Sequence, residues 1–233
     1  NRFEPQLPGF SHVPFNDLAA AEAAIDDTVT AFLVEPVQGE AGIWVADDAY
    51  LQGLRRLCDE RGILLLLDEV QSGVGRTGTL FAYEQYGIRP DGVSLAKGLA
   101  GGVPIGAVVL SQALADALPA GTHGTTFGGN FLATRAALTT LEVIAEEQLL
   151  ENVQAVAPYL RAELDKLVAK HALLDSVRGR GFMLAVALND EVAGALRDAC
   201  AERGLILNAV RPNALRLLPP LTIGRAQVDE AVA

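Results

Sequence analysis

The chain has 233 residues, half of them apolar and 20 % charged, which is the balance of an ordinary globular protein and excludes disorder. Eighteen basic residues against 29 acidic ones leave a net charge of −11, and the Arg and Lys are scattered, with no stripe that could neutralise phosphates, so no nucleic-acid partner is expected. The longest aliphatic run, Ile63 to Leu67, is far below the ~20 residues a membrane-spanning helix needs, so no membrane partner is expected either.

Cys58 and Cys200 lie in helix-like segments without pairing or metal-ligand spacing, which points to a reducing cytoplasm. His12, His123 and His171 are too dispersed for a metal site. The chain begins at Asn1 and stops at Ala233 inside a helical pattern from Val228, so it is expected to be a piece of a longer protein.

In chain order, the apolar runs Val29 to Val34 and Ile63 to Val70 flank Asp47 to Arg61, where Tyr50, Leu54, Leu57 and Cys58 recur at helical spacing. Acidic residues open that segment, arginines stand late in it and Gly62 follows, which are helix start and stop signals. Strand-like runs follow at Gly92 to Ala96 and Ile105 to Leu110. Strands apolar on both faces, alternating with helices, predict an α/β fold with a mostly parallel sheet covered by helices. Phe131 to His171 then reads as two long helices, with Pro158 as a break or kink. Beyond them come strand-like Leu174 to Leu188, interrupted by Gly179 and Gly181, helical Glu191 to Arg203, and short strands at Leu205 to Val210 and Leu215 to Leu218. This pattern predicts a small α+β domain.

Candidate chemistry gathers where strands end, which is where open α/β sheets bind ligands. Asp68 and Glu69 close the strongest strand; Asp68 either meets a cationic partner there or caps the next turn while Glu69 points to solvent. Lys97 ends the next strand, before a glycine-rich loop through Gly106. In a desolvated pocket its neutral amine is a nucleophile able to form a Schiff base; otherwise it is a snorkelling surface lysine. The loop Gly121 to Asn130 sets hydroxyls among glycines and suits a phosphate, or is a plain turn. Glu35 to Glu40 follows another strand end, with Pro36 and Gly39 turning the chain over the sheet edge, and Arg216 sits inside an apolar strand, where a charge calls for a carboxylate or a ligand. Gly73 to Gly78 has GxGxxG spacing with Asp91 downstream, but Glu69 to Ser72 separate it from the strand and the helix after it, Leu80 to Tyr86, is short, unlike a dinucleotide site.

Taken together, Glu35 to Gly42, Leu65 to Gly78, Ser94 to Gly106 and His123 to Asn130 resemble, in order and spacing, the class III, omega-type aminotransferases. Within that class HGTTFGGN and GRTGTLFAYEQYG look most like the acetylornithine-specific branch. The resemblance implies a fold-type I transferase dependent on pyridoxal 5′-phosphate, with residues 1–146 as the C-terminal part of the large cofactor-binding domain and 147–233 as a small domain truncated at its end. Lys97 would hold the cofactor and shuttle the substrate proton. Asp68 would keep the pyridine nitrogen protonated, Gln71 would bond the phenolic oxygen, and Val70 would pack on the ring, with Glu69 and Glu35 also counted among the cofactor's neighbours. Thr126 would hold the phosphate from the neighbouring subunit of a homodimer, with Thr125 near the substrate. Glu40 and Arg216 resemble a switching pair in which the glutamate masks the arginine until an alpha-carboxylate needs it.

The implied reaction moves the omega-amino group of N-acetylornithine, or of ornithine, succinylornithine or 4-aminobutyrate, to 2-oxoglutarate, in arginine biosynthesis. Phe131 departs from the proline common after GGN. The family's glycine-rich phosphate loop, ring-stacking aromatic and principal substrate-carboxylate arginine lie upstream of Asn1, so these residues alone are expected to turn over slowly or not at all. Rival readings are a non-catalytic module of the same fold and a nicotinamide-dependent oxidoreductase using Gly73 to Gly78.

Overall fold

A computed structural model describes residues 4, 5 and 7–233. After a short helix α1 (Leu18–Ala23), strands β1 (Ala31–Val34), β4 (Leu64–Asp68), β5 (Gly92–Leu95) and β6 (Ala107–Leu110) form a four-stranded sheet in the order β1-β4-β5-β6. The pairings β1·β4 and β4·β5 are parallel and β5·β6 is antiparallel, so the sheet is mixed and mostly parallel. The reversal at β6 has a simple cause. A parallel crossover needs a dozen or more residues, and the link from Ala96 to Gly106 holds only a 3-10 turn, Lys97–Ala100.

Helix α2 (Asp48–Arg61) crosses between β1 and β4 and buries Tyr50, Leu51, Leu54, Leu57 and Cys58. Several of these pack with Leu65, Leu67, Phe32 and Val34, each full burial contributing roughly 1.5–3 kcal/mol. Gly62 ends the helix in the left-handed conformation, its N–H donating to the Cys58 carbonyl. By register, Leu33, Leu66, Asp68, Ser94 and Val108 share the opposite face of the sheet. There Leu33 and Val108 are 63 % and 67 % exposed among the described residues.

The small helix α3 (Gln112–Asp116) follows β6, and residues 115–132 are exposed throughout. Helix α4 (Phe131–Glu146) packs on the Lys97–Ala100 turn, and α5 (Leu149–Lys170) continues through Pro158 without breaking. A second sheet, β7-β8-β10-β9, is antiparallel throughout: β7 (Leu174–Arg180), β8 (Met183–Leu188), β10 (Ala214–Leu217) and β9 (Asn208–Arg211). Helices α6 (Ala193–Glu202) and α7 (Arg225–Val232) complete it.

Every residue of β8 is buried, because its two faces meet different partners. Leu184, Val186 and Leu188 pack on α5 and α7, while Met183 and Ala185 pack on Val37 and Ile43 of a two-stranded hairpin, β2 (Val37–Gln38) and β3 (Trp44–Val45). That hairpin, predicted only as a turn over the sheet edge, is wedged between the sheets and carries Glu40 at its tip. Arg178 fixes it from β7, donating to the Gly42 carbonyl at 2.6 Å and stacking on Trp44 at 4.2 Å. Gly181, at φ +56°, lies so close to the other side of the seam that a Cβ would stand 2.5 Å from the Thr77 backbone.

Candidate active site at the strand ends

Asp68 stands at the carboxyl end of β4, its Oδ1 accepting from the Val70 N–H at 2.9 Å and from the Ser94 hydroxyl of neighbouring β5 at 3.1 Å. Among the described residues its Oδ2 carries no hydrogen bond, which leaves an acceptor for a ligand. Ser94 was overlooked in the sequence; its register position beside Asp68 is the signal that identifies it.

Lys97 follows β5 at φ +46°, a left-handed conformation that costs a non-glycine residue about 1 kcal/mol or more. Its side chain borders a cavity of about 440 Å³ together with Val70, Gln71, Arg76 and Thr222, and forms no ion pair with any described residue. The residue is exposed in this chain, so the desolvated pocket expected for it is not formed by these residues alone. Glu35 lies close enough to feel both groups. Burial pushes its carboxyl above the ordinary glutamate value, the Gly39 N–H at 3.0 Å pulls it down, and Asp68 and Lys97 act in opposite directions.

On the hairpin side, Arg216 of β10 donates from Nη1 to Glu40 Oε1 at 2.8 Å and to Gln71 Oε1 at 3.1 Å, while Gln71 Nε2 donates to the same Glu40 oxygen at 3.2 Å. Hydrogen bonding and attraction to Arg216 hold the Glu40 carboxyl below its ordinary value. The arginine is 11 % exposed and the glutamate 72 %, so the pair joins a nearly buried cation to a carboxylate largely in solvent. Among the described residues the Arg216 Nε is buried without an acceptor, a donor left for another ligand. Gln71 has both ends of its carboxamide engaged in this fork.

Glu69 does not point to solvent. It is 1 % exposed and both carboxylate oxygens are taken, by the Ala82 and Tyr83 N–H groups at 2.6 and 2.9 Å, where they cap the 3-10 turn Ala82–Tyr86. Strand alternation turns it away from Asp68, and it borders none of the cavities lined by Lys97 or Asp68. Burial raises its pKa to about 7. Thr125 and Thr126 lie in the exposed 115–132 segment and line none of the cavities bordered by Lys97 or Asp68.

The Gly73 to Gly78 loop opens no helix, and Asp91 Oδ2 accepts from the Leu65 N–H at 2.8 Å and from Arg55 at 2.7 Å, which ties the acidic residue of the dinucleotide reading to β4 and α2. No helix among the described residues is long and apolar enough to cross a membrane.

Against known proteins, the whole of residues 1–233 matches the family "Aminotransferase class-III". The chain belongs to the class-III aminotransferases. It is 46 % identical over 230 residues to the acetylornithine aminotransferase of Methanocaldococcus jannaschii, covering 99 % of this chain and 58 % of that protein. To the succinylornithine transaminase/acetylornithine aminotransferase of Pseudomonas aeruginosa it is 44 % identical over 233 residues, covering 57 % of that protein. The crystal structure of acetylornithine aminotransferase from Elizabethkingia anophelis superposes with TM-score 0.92 at 38 % identity, over 97 % of this chain and 58 % of that one. Plasmodium falciparum ornithine delta-aminotransferase does so with TM-score 0.93 at 37 % identity, over 98 % and 60 %. The chain thus spans well under two thirds of the class-III relatives it matches.

Proposed function

We propose that these residues form part of an aminotransferase site for pyridoxal 5′-phosphate, moving the omega-amino group of N-acetylornithine to 2-oxoglutarate. The observation that carries it is an ion-pair-free lysine, held in a strained conformation at one strand end, beside a carboxylate with a free oxygen at the next. When bound, the cofactor supplies an aldehyde for a lysine and a ring that accepts electrons. Lys97 is the nucleophile for that aldehyde and the group that carries a proton to and from substrate. Asp68, fixed by Ser94 and the Val70 N–H, presents its Oδ2 to a protonated ring nitrogen. Val70 packs on the ring, and Gln71, once released from the fork, donates to the ring's oxygen. Glu35 orients the neighbours of Lys97.

Glu40 and Arg216 choose between substrates. While paired they offer no net charge, which admits an omega-amine; when Glu40 swings out, Arg216 presents its guanidinium to the carboxylate of the second substrate. Thr126 of a second copy completes the phosphate site and Thr125 approaches substrate, which makes the active form a homodimer. Residues 147–233 act as the small domain against 1–146. A cytoplasmic setting fits two free cysteines, and a place in arginine biosynthesis follows from the class-III resemblance. Ornithine, succinylornithine and 4-aminobutyrate are the alternative donors.

The test is glutamate formation from N-acetylornithine and 2-oxoglutarate by the complete polypeptide containing these residues, with the other donors in parallel. N-acetylornithine should be among the fastest; no transfer from any omega-amine contradicts the assignment. The 233 residues alone should be slow or inactive, because Lys97 is open to solvent.

A further inference from the structure

The loop after Asp68 holds an arginine that the reading above does not use. Arg76 is part-buried, and desolvation pushes its pKa below the ordinary arginine value. It forms no ion pair with any described residue; instead its Nη1 donates to two carbonyls of the second sheet's connections, Pro219 and, at 3.5 Å, Phe182. The Phe182 N–H returns a bond to the Arg76 carbonyl at 3.0 Å. A part-buried guanidinium held by carbonyls across a seam, with no carboxylate beside it, sets the position of whatever it grips.

What it grips is the end of β10. Pro219 lies three residues after Arg216, and Arg76 lies five residues after Gln71. Arg216 therefore reaches from β10 across to Gln71, and Arg76 reaches from the Gln71 loop back to β10. We infer that Arg76 is a positioning residue for Arg216, holding β10 at the separation at which the Arg216 guanidinium engages Gln71 and Glu40. The inference rests on the substrate-switching role of Arg216 for its consequence, but not for its geometry.

The test is the rotation rate of the Arg216 guanidinium in the 15N-arginine-labelled chain, its signal assigned by loss in Arg216→Lys, in wild type, Arg76→Lys and Arg76→Met. Arg216 should rotate faster in both variants, by about tenfold in Arg76→Met, the scale of one lost charge-assisted hydrogen bond. Arg76→Lys, which keeps the cation, should fall between and decides the matter if Arg76→Met does not fold. Wild-type rotation in a folded variant overturns the inference. So does equal release of Arg178, bound to Gly42 across the same seam, because that reports general loosening. Glu40→Gln reads the pair itself: if it leaves Arg216 unchanged, the switching pair fails whatever Arg76 does, whereas release there with none in the Arg76 variants removes only the positioning role.

Discussion

Arg216 and Glu40 meet at 2.8 Å across the seam between the two sheets, one nearly buried and the other mostly in solvent. In the proposed exchange of substrates, the exposed glutamate is the partner that swings away from the arginine. The Glu40 carboxyl is held below its ordinary value of 4.5, first by its hydrogen bond to Arg216. A depressed acid contributes stability above its unfolded pKa and loses it as pH falls through the folded one. Carboxyl NMR should therefore give Glu40 a midpoint below 4.5 that returns to ordinary in Arg216→Met. A midpoint unmoved by that change would remove the pair.

Gly39 permits the fork, since a Cβ there would lie 2.3 Å from the Gln71 carboxamide. Gly39→Ala should expel that side chain from Glu40 and Arg216 and lower stability by about 1 kcal/mol per hydrogen bond lost. The Gln71 side-chain amide signals report it directly.

Tyr86 anchors the hairpin from below. Its buried hydroxyl is within reach of the Pro36 and Ala46 carbonyls, at 3.3 and 3.2 Å, on either side of Glu40. Tyr86→Phe keeps the ring and removes the donor, so denaturant unfolding should show a loss of about 1–3 kcal/mol. A loss within error would mean that packing alone holds the hairpin.

Glu69 predicts an opposite pH effect from Glu40. With a folded pKa of about 7 against an ordinary 4.5, it binds its proton more tightly when folded. Its contribution is full below 4.5, declines as pH rises to about 7 and is constant beyond. Relative to Glu69→Gln, wild-type stability should fall across that window by up to roughly 3 kcal/mol. Parallel curves for the two proteins would show that the two N–H bonds cancel the effect of burial.

Local signals made much of this fold legible. The helix over Asp48–Arg61, the Leu-rich strand before Asp68 and the paired helices of Phe131 to Lys170 follow from periodicity, caps and glycine stops. Pro158 failed as a breaker because it lies on the exposed side of α5, where its missing N–H is cheap. The β2–β3 hairpin was missed because strands of two residues have no period to detect. Lys97 and Asp68 were singled out by standing at strand ends, whereas Gln71 was named through the class-III resemblance. Glu69 was misplaced because its neighbourhood depends on residues 82 and 83, which only the tertiary fold brings to it. The same holds for Ser94 and Arg76, whose roles arise across strands and sheets.

The central claim is that Lys97 is the residue that takes pyridoxal phosphate. The most direct measurement treats the protein with that cofactor and then borohydride, digests it and locates the reduced pyridoxyl group by mass spectrometry, beside Lys97→Ala. The group should sit on Lys97, and the variant should take up none at the stoichiometry of wild type. Labelling spread over Lys166 and Lys170, or unchanged in Lys97→Ala, would contradict the account.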